Sequence, residues 1–598
     1  MNRISLRRLL LLAGVVALAA WPFVFSSAYD LRVFTLAGIY AILVIGYQFI
    51  FGHAGALALT QGAFFGLGAY ITGLLGVKLG WSAASTLPLS IVGPVLLAAI
   101  IAAPVLRLET HYFALATLGI AQILLLVAIR WEPFTGGANG LSGIPGLKFL
   151  DLTVPGGLPM VLFVWSVVAL AALFSWQTMR GLYGRAFHVM RSDNLLAGSI
   201  GIDSARLRAV AFLVSAGFAG LAGALYAHTI RVISPEVLEF HVMVACLSMA
   251  VVGGRTSVAG AILGAVLLVH LPEWFRGLEG YYLIAYGIAL LAMIVVASEG
   301  LVGLLGDGAG RPCRRAEPTS IVRAHAMAGS RDRTEGRAAA PLLSIQAVGK
   351  RFGGIEALRD VSFDVRSGEI LGLIGPNGSG KTTLINIATG LYTADSGRVV
   401  FDGRSLAGKR PAAIARLGIA RTFQAVRLVE EMLAIDNVAV AIAARHPLRL
   451  SRALTRPLRD RAMQWAHTEA LAIMDRLGIA EAAWHRTAGL PFGTKRRLEV
   501  ARALALSPRL VFLDEPAAGL NASERRELAL QLKRLAQEGL TLLVVEHNMP
   551  FLMSIADRIV CLDEGRRIAE GTPDEIRADP AVLGAYFGTA AAATGSRT

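Results

Sequence analysis

Roughly ten apolar stretches, each near the ~20 residues that span a bilayer core, fill the first half of this chain and restrict its folding more than any other feature. They run from Leu9 to Ser26, Val33 to Phe51, Leu59 to Val77, Leu87 to Leu106 and Tyr112 to Ile129. They continue from Leu158 to Trp176, Ala209 to Ala227, Phe240 to Val252, Ser257 to Leu271 and Tyr281 to Ala297. In hydrocarbon a backbone N–H finds no water, so such stretches must satisfy themselves as helices. Across all 598 residues, 55% are hydrophobic and only 17% charged, and mean hydropathy is +0.58, which excludes a wholly soluble or disordered protein. A chain of this length needs at least two folding units.

Short-loop arginines set the orientation. Arg3, Arg7 and Arg8 place the start on the cytoplasmic side, and Arg180, Arg185, Arg191, Arg206 and Arg208 place the connection between the sixth and seventh spans there too. Alternation from a cytoplasmic start gives the same answer, and ten crossings return the chain to that side. The first stretch also has the basic start and Ala17-Leu18-Ala19 of a secretory signal peptide; an uncleaved helix is preferred because the apolar run continues past those alanines. The eighth stretch, Phe240 to Val252, is short enough to be re-entrant, and short or broken helices are where transporters bind substrates.

Within the spans, Gly62 and Gly66, Gly260 and Gly264, and Gly217, Gly220 and Gly223 read as close helix-packing faces. His53, Gln61 and Gln122 are costly at membrane depth and call for an interhelical hydrogen bond or a cavity. The net charge of +15 is dispersed over both halves, which suits loops beside anionic membrane lipid and points away from nucleic acid as a partner. Three cysteines, Cys246, Cys313 and Cys561, are too scattered for a metal knuckle or a disulfide framework.

Residues 306–340 turn to Gly, Ala, Arg and Ser without apolar period and read as a flexible basic linker. Beyond it, the apolar run Ile370 to Ile374 leads into Gly375-Pro376-Asn377-Gly378-Ser379-Gly380-Lys381-Thr382-Thr383, a phosphate loop between a strand and a helix. Its glycines let backbone N–H groups wrap phosphates, aided by the helix dipole. Lys381 would reach the outer phosphates of ATP and the Thr382 hydroxyl would ligate Mg²⁺. Downstream, Leu510 to Leu513 is a buried-strand pattern ending in Asp514-Glu515. Asp514 is placed to hold the metal, directly or through water, and Glu515 to accept a proton from the attacking water.

These motifs occur in the order of an ABC transporter ATPase: Gln424 after Arg421-Thr422-Phe423, Leu490-Pro491-Phe492-Gly493-Thr494-Lys495-Arg496-Arg497, Asp514 to Asn521, and Val544-Val545-Glu546-His547. The wording resembles the ATP-binding subunits of branched-chain amino-acid importers. The resemblance implies that Phe352, within Lys350 to Gly354, stacks on adenine, that Gln424 senses nucleotide and Mg²⁺, and that His547 contacts the γ-phosphate. Gly493 would cap ATP bound to a second ATPase domain. Pro491 and Phe492 depart from the commonest signature, Leu-Ser-Gly-Gly-Gln. The first half resembles the permease subunit of the same importers through Gly52 to Gly55, Thr60 to Tyr70, Gly184 to Arg191, Gly217 to Ala227 and Val251 to Gly254.

The expected architecture is a polytopic α-helical membrane domain of about ten spans (1–305), the linker (306–340), an α/β P-loop ABC ATPase domain (341–590) and a tail (591–598). The implied function is ATP-driven import of leucine, isoleucine or valine across a bacterial inner membrane, with the ATPase cytoplasmic. Amides or urea are alternative cargoes, and a regulatory ATPase that transports nothing is the alternative of another class. Implied partners are a second permease and a second ATPase, as a homodimer or as separate subunits, and a periplasmic binding protein. Independently of any family, the arginine-rich loop 180–208 carries apolar residues at Ala186, Val189, Met190, Leu195 and Leu196, and is expected to form a short amphipathic helix that docks on the ATPase, the alternative being an interfacial helix that faces lipid.

Overall fold

The computed structural model describes Val16, residues 20–106, Leu108, and residues 110–149, 152–297, 300–304, 341–445 and 461–587. The first apolar stretch and the basic linker lie largely outside the described residues. The chain divides into a helical unit and an α/β unit, and the short segment Ser192–Asp203 clusters with the second rather than the first.

The helical unit contains α1 (Ala28–Tyr47), α2 (Gln61–Leu79), α3 (Ala83–Val105), α4 (Thr110–Arg130), α5 (Leu158–Arg180), α6 (Leu182–Ser192), α7 (Ser204–Ile230), α8 (Phe240–Gly253), α9 (Val258–Trp274) and α10 (Tyr282–Val296). Six helical segments among the described residues are long and apolar enough to cross a membrane: α1 with its extension to His53, α2, α3, α4, α5 and α7. α8 has only 14 residues, about 21 Å at 1.5 Å per residue, so it falls short of a ~30 Å hydrocarbon core.

α1 is buried along most of its length against α5, α7 and α9, with Phe34 stacked on Trp165 at 4.7 Å. It ends in a π-helical turn, Gln48–His53, whose wider spacing turns the Gln48 amide onto the Gly254 and Ser257 carbonyls, each at 2.9 Å. Glycines set the helix spacing. A methyl group on Gly223 would sit 1.9 Å from the Phe65 carbonyl oxygen, and one on Gly253 would sit 1.9 Å from that of Gly260. α7 therefore meets α2 backbone to backbone, as α8 meets α9, a closeness that dispersion rewards in lipid. Gln61 satisfies its amide within the bundle, accepting from Ser215 Oγ at 2.8 Å. Gln122 is exposed, and His53 is half-buried, with its Nε2 atom buried and unpartnered.

The α/β unit opens with β1 (Leu343–Phe352) and β2 (Ile355–Val365), which pair with β4 (Ser396–Phe401) and β5 (Arg404–Ser405) in a four-stranded sheet ordered β2-β1-β4-β5. The second sheet takes β3 (Ile370–Ile374), β6 (Ile419–Arg421), β7 (Leu510–Asp514), β8 (Thr541–Val545), β9 (Arg558–Asp563) and β10 (Arg566–Gly571) in the order β6-β7-β8-β3-β9-β10. Its first five strands are parallel; only β10 is antiparallel. β3, β7 and β8 are buried at every residue, which explains their unbroken apolar runs: a parallel sheet is covered on both faces. Around them lie α11 (Lys381–Ala388), α12 (Pro411–Arg416), α13 (Ala434–Ala444), α14 (Arg461–Arg476), α15 (Phe492–Leu504), α16 (Ala522–Gln537), α17 (Met549–Ile555), α18 (Pro573–Ala578) and α19 (Pro580–Phe587).

Candidate active site

The carboxyl ends of β3, β7 and β8 are neighbours because β8 pairs with both of the others, with Asp514 in register with Val545 and Leu373 with the same residue. An open parallel sheet collects ligands at these ends. β3 runs straight into the phosphate loop. Gly375 has φ +151°, and a methyl group there would lie 2.1 Å from the Leu562 carbonyl oxygen, so only glycine fits. Lys381 opens α11 and folds its ammonium back over the loop, donating to the Gly375 carbonyl at 2.7 Å, to the Pro376 carbonyl at 2.9 Å and to Ser379 Oγ at 3.3 Å. Burial lowers the Lys381 pKa, and Cys561, Glu515 and Asp514 oppose that shift by their charge.

β7 delivers Asp514, buried, with its carboxyl pushed up by burial. Glu515 follows in a left-handed conformation, φ +48°, which costs a non-glycine residue about 1–3 kcal/mol. It is held there because its N–H donates to the Val545 carbonyl at 2.9 Å. The turn aims its carboxylate at Gln424 Nε2, which donates to it at 3.0 Å, and brings His547 Nε2 to within 3.2 Å of the same oxygen. Two sequence-predicted residues, Gln424 and His547, thus converge on the carboxylate of a third, Glu515. The exposed Phe352 ring meets Tyr392 edge-on at 5.3 Å, and Gly493 lies against Glu524, whose Oε1 would be 2.3 Å from an added methyl group. Thr382 is exposed at the start of α11. Hydroxyl, amide and carboxylate oxygens from Thr382, Gln424 and Asp514 are hard donors, the kind Mg²⁺ accepts, and a cation beside Asp514 would relieve its buried charge.

Several supporting residues were not singled out from sequence. Glu546 accepts from Ala517 N–H at 2.7 Å and from Asn548 N–H at 3.3 Å, fixing the turns after β7 and β8 together. Arg421 ties β6 to α11 through Asn386 Oδ1 and Thr389 Oγ1, both at 2.9 Å. On α15, the buried Arg496, Glu499 and Arg502 sit one turn apart. Arg496 donates to the Phe423 carbonyl at 2.9 Å, Glu499 accepts from Phe423 N–H at 3.2 Å, and Arg502 donates to the Arg427 carbonyl. The backbone carrying Gln424 is therefore clamped to the helix that begins in the signature segment. An arginine followed at i+3 by Glu499 and at i+6 by Arg502 was the available signal, but alternating charges at helical spacing read equally as a solvated helix face.

The amphipathic element expected at 180–208 is present in two parts. α6 buries Ala186, Val189 and Met190 in the helical unit, whereas the docking element of the α/β unit is a single short helix, Asn194–Ser199. Leu195 and Ser199 of that helix line an apolar hollow with Pro411, Ile414, Ala415 and Phe423. Arg416 donates to the Gly201 carbonyl at 2.7 Å, and Arg427 pairs with Asp193. The reason for the shortening is local: Asp193 caps a new helix, accepting from Leu195 N–H at 2.9 Å and Leu196 N–H at 3.0 Å.

A phosphate loop on the central strand, with a carboxylate, an amide and an imidazole converging at the adjacent strand ends, defines an ATP-hydrolysing cassette, and its fusion to an apolar helical unit defines an ABC transporter. The family described as the permease component of the branched-chain amino acid transport system matches residues 30–298. The ABC transporter family matches 358–518, and the branched-chain amino acid ATP-binding cassette transporter family matches 566–592. The second half is 42% identical over 252 residues to the high-affinity branched-chain amino acid transport ATP-binding protein LivG of Salmonella typhimurium, covering 42% of this chain and 99% of that protein. It is 40% identical over 256 residues to BraF of Pseudomonas aeruginosa, covering 42% of this chain and 99% of BraF. The first half is 32% identical over 319 residues to the permease protein LivM of Salmonella typhimurium, covering 50% of this chain and 75% of LivM. The chain belongs to the branched-chain amino acid ABC transporter family, with permease and ATP-binding components in one polypeptide. It is a membrane protein whose ATPase couples ATP hydrolysis to transport, and as a set of components it works with partner subunits.

Proposed function

We propose that this chain imports leucine, isoleucine or valine across a bacterial inner membrane, using ATP hydrolysed on the cytoplasmic side. The observation that carries this reading is the pairing, in one chain, of a half similar to LivM with a half similar to LivG. The permease domain is taken as 1–305, the linker as 306–340 and the ATPase domain as 341–590. Partners are a second permease and a second ATPase, supplied by a second copy or by separate subunits, and a periplasmic binding protein that delivers the amino acid.

In this reading the N–H groups of Gly375 to Thr383 wrap the ATP phosphates, and Lys381 moves from its loop carbonyls onto the outer phosphates. Thr382, Asp514 and Gln424 hold Mg²⁺, which when bound offsets the charge of the phosphate oxygens. Glu515 takes a proton from the attacking water, Gln424 and His547 fix its carboxylate, and His547 also reaches the γ-phosphate. Phe352 stacks on adenine, and Gly493 caps the ATP held by the second ATPase domain. ATP drives the cycle only in so far as it binds the closed pair of ATPases more tightly than the open one.

The test is uptake into proteoliposomes holding the chain, its partners and ATP inside. Accumulation of labelled leucine, isoleucine or valine, dependent on the binding protein, is expected. Accumulation of an amide or urea in their place would move the substrate assignment, and ATPase activity without accumulation of any of them would overturn import.

A further inference from the structure

The phosphate loop has a second anchor at the far end of the sequence. Two consecutive caps build it. Thr572 and Glu575 form a reciprocal capping box at α18, with Thr572 N–H donating to Glu575 Oε2 at 2.7 Å. Asp579 then accepts from Ala581 N–H at 2.7 Å while Pro580 occupies the first position of α19, where its fixed φ favours a helix. The start of α19 is thereby fixed in direction. Val582, buried, and Tyr586 stand four residues apart and so share one face of α19.

From that face the Tyr586 hydroxyl accepts a hydrogen bond from the N–H of Gly375 at 2.8 Å. The same residue, Gly375, receives the Lys381 ammonium on its carbonyl at 2.7 Å. One peptide residue is thus gripped on its donor side by α19 and on its acceptor side by the phosphate-loop lysine. There is no slack around it: an added methyl group would meet Leu562 O at 2.1 Å and Ser379 Oγ at 2.6 Å. Burial pushes the Tyr586 pKa up to about 12, so its oxygen stays a neutral hydroxyl that accepts here and keeps its own proton.

We propose that Tyr586 is a positioning residue for ATP binding: its hydroxyl holds Gly375, and through Gly375 the phosphate loop and the resting seat of Lys381, in the conformation that receives phosphate. This rests on the assignment of Gly375 to Thr383 as the ATP site. Without the hydroxyl, Gly375 N–H has no partner in the folded loop, and conformations that expose it to water gain population. Apparent affinity falls in proportion to the fraction of loop that remains competent. The chemistry beyond binding, at Glu515, is untouched, so the effect falls on KM for ATP rather than on kcat.

The experiment uses the full chain in lipid nanodiscs and compares the parent with Tyr586→Phe, Tyr586→Ala and Lys381→Ala. Tyr586→Phe keeps the ring and its packing. Its KM for ATP is expected to rise about tenfold, the equivalent of about 1.4 kcal/mol, with kcat within about twofold of the parent. Hydrogen exchange in the peptide spanning Gly375 should accelerate in the same variant while Tm stays unchanged. An unchanged KM in Tyr586→Phe overturns the proposal, and so does a loss in which Tm, KM and kcat all move together, because that marks a general packing role. If Tyr586→Ala fails to fold, the phenylalanine variant alone decides. Lys381→Ala separates the two readings: if it binds ATP as the parent does, the ATP site itself is misassigned, whereas loss of binding there with no effect at Tyr586 condemns only the positioning role.

Discussion

Arg427 and Asp193 form an ion pair between residues separated by 234 positions, and each is engaged elsewhere as well. The other oxygen of Asp193 caps the 194–199 helix, and the Arg427 carbonyl accepts from Arg502 on α15. A continuous path therefore runs from the 194–199 helix through Arg427 to the clamp that holds Gln424. Asp193→Asn keeps a capping oxygen and removes the charge. Basal ATPase rate and KM for ATP should remain within about twofold, while stimulation by the substrate-loaded binding protein should fall at least about fivefold, which corresponds to about 1 kcal/mol of coupling. A double-mutant cycle with Arg427→Gln checks this: the two losses should not add, whereas full additivity would show that the pair carries no coupling.

Glu515 is held by Val545 O at its N–H and by Gln424 and His547 at its carboxylate. Glutamine has the same shape and lacks the basicity. Glu515→Gln should bind ATP with parental affinity and hydrolyse it about 10²–10⁴ times more slowly, the usual contribution of a positioned base. Single-turnover hydrolysis beside equilibrium ATP binding measures both quantities, and parental turnover would remove Glu515 from the base role.

Much of the ATPase was legible because its chemistry is local in sequence. Gly375 to Thr383 and Asp514-Glu515 sit at the ends of short apolar strands, and the strand ends of a parallel sheet meet at one edge. What stayed hidden depends on distant pairings. Nothing in Tyr586 distinguishes it from any aromatic on a terminal helix until α19 is seen to face the phosphate loop, and Asp193 is one acid in a basic loop until Arg427 is opposite it. In the helical unit, six of the ten apolar stretches fall on helices that are long enough to span among the described residues, with ends that differ by a few residues: Leu158 to Trp176 became Leu158–Arg180, and Ala209 to Ala227 became Ser204–Ile230. The extra turns carry Arg180, Arg206 and Arg208, which no hydropathy run includes, because charge at a helix end reaches past the hydrocarbon.

The buried Asp514 carboxyl gives a pH signature with a definite sign. Burial raises its folded pKa above 3.8, with Glu515 adding to the shift and Arg421 opposing it. Between the unfolded and folded values the folded state binds the extra proton, so the stabilising neutral form is fully present at low pH and is lost as pH rises through the raised pKa. At neutral pH the ionised group is a net cost to folding. Asp514→Asn should therefore melt about 2–4 °C above the parent at pH 8, taking about 1 kcal/mol for the relieved burial, and the gap should narrow at pH 5. Its hydrolysis rate should collapse at both pH values. Thermal melts of the nucleotide-free protein check this; a gap that widens on acidification would reverse the assigned sign.

Gly223 and Gly119 test whether the helical unit is held by backbone contact or merely by apolar surface. Both are glycines on membrane-type helices, α7 and α4, and both should gain helix propensity on conversion to alanine, about 1 kcal/mol each. Their surroundings differ. A methyl group on Gly223 would stand 1.9 Å from Phe65 O and 2.9 Å from Ala69 N, backbone atoms of α2 that can move only with the whole helix, whereas one on Gly119 meets nothing within 4 Å. Overpacking costs about 1–3 kcal/mol even where side chains can yield, and here the obstacle is backbone. Gly223→Ala should accordingly lower the detergent melting temperature by several degrees and reduce transport, while Gly119→Ala should leave both at or slightly above the parent. Equal behaviour of the two variants would mean that α2 and α7 are not in backbone contact in the folded protein.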